Sequence, residues 1–160
     1  MAMSYTILMI FLITLIPSLE LRASIPYGIV MGVNWLIVFL VATLSNILLA
    51  GLVWFFIKYI MHFFLGIHFV KKLYDKFVIK SQKKLKPYLD KYGMLGLALF
   101  IGAPLPGSGV YTGGLGAFLL GYKFKDYLIA SIIGVIIAGA LVTIIVLSGN
   151  SALQIFTKSI

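Results

Sequence analysis

The sequence contains no cysteine and very little negative charge. Its 160 residues include four Asp or Glu against thirteen Lys or Arg, which gives a formal net charge of +9. Disulfides and thiolate chemistry are therefore excluded, and only His62 and His68 could serve as imidazole ligands. Because no acidic residue accompanies them, no metal site is expected. Catalytic triads and nucleotide or cofactor motifs are also missing from the sequence, so neither an enzyme nor a bound cofactor is predicted.

Apolar residues, by contrast, are in excess. Hydrophobic side chains make up 62% of the chain and the mean hydropathy is +1.12, whereas a soluble domain is about 45–50% apolar. Two uncharged runs, 35–57 and 127–147, are long enough to cross a bilayer. The sequence therefore predicts an all-α integral membrane protein. Residues 6–16 resemble the apolar part of a signal peptide, but no positive charge precedes them and cleavage is not expected.

Two further apolar regions, 5–33 and 92–121, are interrupted at their centres by proline, glycine and polar residues. Proline removes a helix hydrogen bond and clashes with the preceding turn. Each region is therefore predicted to form two half-helices of about 10–13 residues, each spanning roughly half of the bilayer core. The interruptions contain Pro17, Ser18, Glu20, Arg22, Ser24 and Pro26 in the first region and Pro104, Pro106, Gly107, Ser108 and Gly109 in the second.

The two interrupted regions could cross the membrane as kinked helices, or they could return from the midplane as re-entrant hairpins. Lys123 and Lys125 favour hairpins, because that topology puts them on the same side as the lysines of segment 71–91, in line with the positive-inside rule. The lysine-rich linker 63–92 has a helical period and is expected to lie on the cytoplasmic surface as an amphipathic helix. Both termini would then lie outside the plasma membrane. A basic stripe beside apolar spans indicates an anionic leaflet, so no nucleic-acid partner is expected.

Small residues recur with an offset of 88 or 89 positions, which also aligns Pro17 with Pro106. This pattern predicts one membrane domain, 1–160, built as an inverted repeat of a hairpin and a span: repeat one 5–62, repeat two 93–148 and a tail 149–160. Such repeats with broken helices are typical of secondary transporters. Small residues can equally serve tight helix packing, including that of a homodimer. The predicted packing residues are Gly28, Gly32, Gly113, Ala117, Gly121, Ala130, Gly134 and Ala138.

Glu20 and Arg22 are the most informative charged residues. Glu20 is the only acidic residue among the first 74, and Arg22 is the only arginine. A charge within the bilayer is costly, so these side chains should pair or face a water-filled cavity, unless the segment is an ordinary loop outside the membrane. The predicted substrate or proton site consists of Pro17, Glu20, Arg22, Ser24 and Pro26.

The second hairpin tip is expected to face this site. The returning half-helices begin near Ser24 and Ser108, and their N-termini would form an anion site together with Arg22. Glu20 would then pair with Arg22 or carry a coupling proton. The predicted tip residues are Pro104, Pro106, Gly107, Ser108, Gly109, Tyr111 and Thr112.

The segments LIPSLELRASIPYG (15–28) and APLPGSGVYTGG (103–114) resemble the signatures of the small multidrug export protein family, which is distantly similar to the DedA (SNARE-associated or VTT) superfamily. The resemblance covers nearly the whole chain and implies two re-entrant hairpins packed against full spans. DedA relatives are implicated in moving polyprenyl phosphate or in scrambling lipids, often with proton coupling. Glu20 matches the acidic position of the first DedA hairpin, whereas the second hairpin lacks the arginines typical of DedA proteins.

Three functions follow from these observations. The first is a transporter or flippase for an amphipathic substrate with an anionic head, such as a polyprenyl or lipid phosphate, with Glu20 and Arg22 in the site. The second is a proton-coupled exporter of small toxic compounds that uses Glu20 alone. The third is a membrane scaffold that transports nothing. Membrane lipids and a small amphipathic or lipid-phosphate substrate are the expected partners.

Overall fold

The computed structural model describes residues 2–17, 19–65, 93–105 and 108–157 of the chain. Within these ranges every regular element is an α-helix, so the all-α prediction is confirmed for the described part of the chain. Nearly all of the predicted amphipathic linker, together with Ser18, Pro106 and Gly107, lies outside the described residues. The helices are α1 (Ala2–Thr14), α2 (Glu20–Val30), α3 (Trp35–Leu65), α4 (Gly93–Gly102), α5 (Val110–Leu119) and α6 (Phe124–Thr157).

Two of these helices are long and apolar enough to cross a membrane. The candidate spans are Trp35–Ile60 in α3 and Phe124–Gly149 in α6, each of 26 residues, with mean hydropathies of 2.5 and 2.8. The two predicted spans are confirmed by length and composition, and both helices continue past the charged residues Lys58 and Asp126 that bounded them in the sequence. A charge near the end of a span does not stop a helix, because the side chain can extend to the interface.

The outer surfaces of these long helices are apolar. Leu44, Leu52 and Ile144 are 55–64% exposed. Large contiguous apolar surfaces are rare on soluble monomers, but they suit a surface that faces lipid.

Each interrupted region forms two short helices, as predicted. Helices α1 and α2 contain 13 and 11 residues, and α5 contains 10. Helices α1 and α2 run antiparallel, because the Thr14 hydroxyl lies 2.7 Å from the Ser24 hydroxyl while Gly28 packs against Ile10. In the second region, Gly113 of α5 packs against Ile101 of α4.

The start of α2 differs from the prediction. The sequence placed it near Ser24, but α2 begins at Glu20 and contains Pro26 in its interior. The helix tolerates Pro26 at the loss of one hydrogen bond, the one that the carbonyl of Arg22 would have accepted. Glu20 and Arg22 consequently lie on the first turn of a helix and not in an irregular break.

Helix boundaries in the two halves match at the same offset as the small residues. Helix α3 starts at Trp35 and α6 starts at Phe124, 89 positions later. Gly32 and Gly121, also 89 positions apart, follow the ends of α2 and α5 with φ angles of +79° and +82°. Glycine suits this left-handed position beyond a helix C-terminus. Gly32 and Gly121, which the sequence analysis assigned to helix packing, therefore lie at helix ends. No described atom lies within 4 Å of a Cβ built on Gly32.

Helices α3 and α6 pack antiparallel at the centre of the fold. The ring of Trp54 stacks on that of Tyr127 at 5.2 Å, and a Cβ built on Gly139 would lie 3.2 Å from the hydroxyl of Thr43. Gly134 of α6 packs on the backbone of α4, and Gly28 packs against Val38 of α3. Small residues at these contacts allow the helix backbones to approach closely. Ala117, Ala130 and Ala138 are also buried in the core.

Candidate functional site

The first turns of α2 and α5 meet at the carboxylate of Glu20. Glu20 begins α2 with a φ of +46° and is 3% exposed. The N–H of Val110, the first residue of α5, donates to Glu20 Oε2 at 3.4 Å, and the N–H of Tyr111 also faces the carboxylate. Free N–H groups and the helix dipole favour an anion at a helix N-terminus. Here the protein's own carboxylate occupies the anion position that the sequence reserved for a substrate.

Gly109 makes room for this carboxylate. A Cβ on Gly109 would lie 2.7 Å from Glu20 Oε1 and closer still to Oε2, and the backbone has a φ of +133°. Both the space and the backbone conformation therefore require glycine. Under the 89-residue offset Gly109 is the counterpart of Glu20, so matched positions in the two halves touch each other.

Arg22 fastens α2 to the residues that flank the break between α4 and α5. One terminal nitrogen of its guanidinium donates to the carbonyl of Ala103 at 2.7 Å and to the hydroxyl of Ser108 at 2.8 Å. That hydroxyl also lies 2.6 Å from the carbonyl of Ala103 and 2.8 Å from that of Leu105, which folds the described part of the tip around it. Arg22 thus has a structural task that sequence reasoning did not assign to it.

The ion pair between Arg22 and Glu20 is long. The second terminal nitrogen of Arg22 lies 3.4 Å from Glu20 Oε2, whereas a strong charge-assisted contact measures about 2.7–2.9 Å. The ion pair and the bond from the Val110 N–H, both 3.4 Å, are therefore longer than the bonds that anchor Arg22 to Ala103 and Ser108. The bonds that join Arg22 to Ala103 and Ser108 do not involve Glu20.

Tyr111 makes the matching connection in the opposite direction. Its hydroxyl donates to the carbonyl of Leu15 at 2.6 Å, in the break of the first region. Tyr111 lies 89 positions after Arg22, and Ala103 lies 88 positions after Leu15. Each interrupted region therefore sends one side chain from its second helix to a carbonyl near the break of the other region.

The remaining predicted residues make other contacts or lie at the surface. Ser24 is fully buried against Thr14 and closes the α1–α2 pair. Pro26 lies inside α2. The exposed members of the predicted set are Pro17, Pro104 and Thr112.

Sequence reasoning did not place Asn46 and Tyr127 in the site. Asn46 of α3 is 1% exposed, and its amide faces the Glu20 carboxylate. The hydroxyl of Tyr127 donates to the carbonyl of Val110 at 2.8 Å and thereby supports the start of α5. A signal for Asn46 was present, because an amide within a 23-residue uncharged run is expensive in a bilayer unless it has a function or a partner.

A comparison with known families identifies the chain. The model of the family described as "Putative small multi-drug export protein" matches residues 20–141, about three quarters of the sequence, and the match starts at Glu20. No curated protein and no solved structure matches the chain. The relation to the DedA superfamily stays a prediction, because the family match does not extend to it. The family is one of export proteins, and with the two apolar spans it makes this a membrane protein of the transport class. The chain belongs to the small multidrug export protein family.

Proposed function

We propose that the protein exports small amphipathic compounds across the membrane in exchange for protons, and that both the cargo and the proton use Glu20. The observation that carries this proposal is the Glu20 carboxylate, which is 3% exposed and whose ion pair with Arg22 is long, at 3.4 Å. The family supports export as the direction of transport.

Exchange follows from the energetics of a buried carboxylate. An ionised side chain in an apolar interior is stable only when it is paired. A proton neutralises Glu20, and so does a cationic cargo, but the two compete for the same oxygens. Because the contacts with Arg22 and Val110 are long, at 3.4 Å, either partner can compete with them for the carboxylate oxygens. Cargo binding at Glu20 then requires that the proton leave.

The proposed membrane arrangement has two re-entrant hairpins and an inverted repeat. The lengths of α1, α2, α4 and α5 support it, since helices of 10–13 residues cover about half of a bilayer core. Helix starts and terminal glycines that match at one offset also support it. In this arrangement the lysines of segment 71–91 are cytoplasmic, the termini lie outside the plasma membrane, and cysteines introduced at residues 82 and 123 react with impermeant reagents from the same side.

A second candidate is transport of a substrate with an anionic head, such as a polyprenyl or lipid phosphate. The observation in its favour is the Nε of Arg22, which is buried and makes no hydrogen bond to any described residue. A phosphate could accept from this nitrogen and from the loosely paired terminal nitrogen. It would have to displace Glu20 from the start of α5, which makes this the weaker candidate.

The test is transport by purified protein in proteoliposomes. We expect efflux of ethidium, a small amphipathic cation, when a pH gradient is imposed, and we expect Glu20→Gln to abolish it. Asp126→Asn is the matched control, because it removes the charge of a carboxylate on the first turn of α6 without touching the site. Ethidium efflux that survives Glu20→Gln would overturn the proposal.

The same vesicles separate the other two functions. Movement of a labelled lipid phosphate that is lost in Arg22→Ala, without any ethidium efflux, would select the second candidate. A protein that moves neither probe, with normal folding of all variants, would be a scaffold.

A further inference from the structure

Four polar side chains of α3 and α6 are buried without a hydrogen bond of standard geometry to any described residue. Thr43, Asn46, Ser131 and Thr143 are 0–6% exposed, and their side-chain polar atoms have no hydrogen-bond partner within the described ranges. Each unpaired polar group in an apolar interior costs about 1–3 kcal/mol. Four of them on two adjacent, packed helices indicate that a polar occupant lies along them.

The hydroxyls among them do not use the local alternative that helices offer. Serine and threonine on a helix can donate to the carbonyl four residues earlier. Thr14 and Ser45 lie 2.7 Å and 2.6 Å from that carbonyl. Thr43, Ser131 and Thr143 make no such bond in the described structure, so their hydroxyls are available to another partner.

These side chains follow one another along the helix pair. The helices are antiparallel, with Trp54 level with Tyr127 and Thr43 level with Gly139. At 1.5 Å per residue, successive polar groups are about 5–7 Å apart along the axis. One water that makes two hydrogen bonds spans about 5.5–6 Å between the groups it joins. We call this row of side chains the seam. Its order is Tyr127, Ser131, Asn46, Thr43 and Thr143.

The seam passes beside Glu20 at its middle. The amide of Asn46 faces the carboxylate without reaching hydrogen-bonding geometry. Beyond Asn46 the hydroxyl of Ser131 faces that of Tyr127. On the other side Thr143 lies near the level of Val38, only three residues from the start of α3. The polar groups therefore lead from the end of the membrane where α3 begins to the carboxylate.

Aromatic rings close the opposite end of the seam. Trp54 contacts Phe118, Phe124 and Tyr127 at centroid distances of 5.7, 6.0 and 5.2 Å. These rings pack across α3, α5 and α6 and offer few hydrogen-bonding groups. In this conformation the polar seam is therefore closed at the Tyr127 end and open only toward the start of α3.

We propose that a single file of water occupies the seam between α3 and α6 and conducts protons to Glu20 from the side of the membrane where α3 begins. The proposal rests on the proposed exchange of protons for cargo at Glu20, and it names the route that the protons take. Asn46 is the group that joins the file to the carboxylate, and Thr43 and Thr143 support the water on the open side.

Hydration of the seam can be tested without transport, because the native chain has no cysteine and every introduced thiol is the only one. Cysteine would be placed at Thr43, Asn46, Ser131 or Thr143, and each protein treated in proteoliposomes with Ag⁺, which is small enough to follow a file of water. Unreacted thiol would be counted with a maleimide after denaturation. Ala42→Cys and Ala130→Cys are matched controls, since both alanines are fully buried next to seam residues.

We expect Ag⁺ to react at the seam positions at least about tenfold faster than at the alanine controls, since the reactive thiolate forms in water and not in an apolar interior. Reaction should require Ag⁺ on the side where α3 begins. Equal rates at seam and control positions, whether fast or slow, would overturn the proposal.

Functional variants separate this proposal from the one it rests on. We expect Thr43→Val and Thr143→Val to slow pH-driven ethidium efflux about tenfold or more, while Ser4→Ala, at an exposed serine of α1 outside the seam and the site, leaves it unchanged. A hydrated seam in a protein that moves no ethidium would refute only the proposed export function. Active efflux with a dry seam, or full activity in both seam variants, would refute only the proposed file of water.

Discussion

Gly109 offers the sharpest test of how the two helix starts fit together. Substitution by alanine would place a methyl group against both oxygens of Glu20 and would force a residue with a Cβ to adopt a φ of +133° and a ψ of −169°. This region of backbone conformation is essentially restricted to glycine, and occupying it costs about 1–3 kcal/mol. Displacing the carboxylate from the Val110 N–H removes a further contact of about 1 kcal/mol.

The expected loss of unfolding free energy for Gly109→Ala is therefore about 2–4 kcal/mol. Gly116 provides the control on the same helix, because no described atom lies within 4 Å of a Cβ built there. Gly116→Ala should stabilise the protein by about 0.5–1 kcal/mol, since alanine is the better helix former. Denaturant titration of both variants in detergent micelles measures the difference.

A double-mutant cycle with Glu20→Ala assigns the loss to its cause. Without the carboxylate, the alanine at position 109 should cost only its backbone part, so the cycle should show a coupling energy of about 1–2 kcal/mol. Refutation would come from a Gly109→Ala protein as stable as Gly116→Ala, or from a coupling energy of zero. Either result would mean that the carboxylate does not lie against the start of α5.

Two further substitutions test the contacts around the site. Tyr111→Phe removes the 2.6 Å bond to the Leu15 carbonyl and should lower the free energy of unfolding by about 0.5–1.5 kcal/mol in the same titration. Tyr59→Phe is the control, because Tyr59 is 78% exposed and its substitution should leave the free energy of unfolding unchanged. Equal effects of the two substitutions would contradict the bond between Tyr111 and Leu15. Gly134→Ala puts a Cβ 2.6 Å from a backbone oxygen of α4 and should cost about 1–3 kcal/mol. Gly51→Ala, which meets no described atom within 4 Å, should be neutral or stabilising, and the reverse order would show that α4 and α6 do not pack as described.

Much of the helical framework was predictable because lipid imposes simple rules on sequence. Uncharged runs of more than 20 residues must span as helices, since every backbone group has to be paired internally. Prolines in the other two regions indicated that each would divide into short helices. The start of α2 was misplaced because proline was taken to mark its edge, whereas a helix accepts Pro26 in its interior when one carbonyl goes unpaired.

The contacts of the site were harder to predict, because they join residues about 90 positions apart. Burial of Glu20 and Arg22 near one another followed from the cost of isolated charge. Nothing in the spacing indicated that Arg22 would be committed to Ala103 and Ser108, or that the carboxylate would take the anion position at α5. The role of Gly109 likewise depends on a positive φ angle that a glycine-rich segment permits at several places.

The commitment of Arg22 explains why a carboxylate can be the mobile charge in this site. If the guanidinium were free, it would pair tightly with Glu20 and the carboxylate would be unavailable to protons and cargo. Its shortest bonds instead go to the tip of the second hairpin, at 2.7 and 2.8 Å, and the carboxylate keeps contacts of 3.4 Å. The positive charge stays in place as a fixed part of the scaffold, and it limits the cost of burying Glu20 in its ionised form. Removing Arg22 should therefore leave the carboxylate protonated and unable to exchange, so Arg22→Ala and Glu20→Gln should fail in ethidium efflux to a similar extent. Arg22→Lys can keep the charge but cannot make the forked contact. We expect it to retain ethidium efflux only in part, and a fully active Arg22→Lys would show that the bonds to the hairpin tip are dispensable.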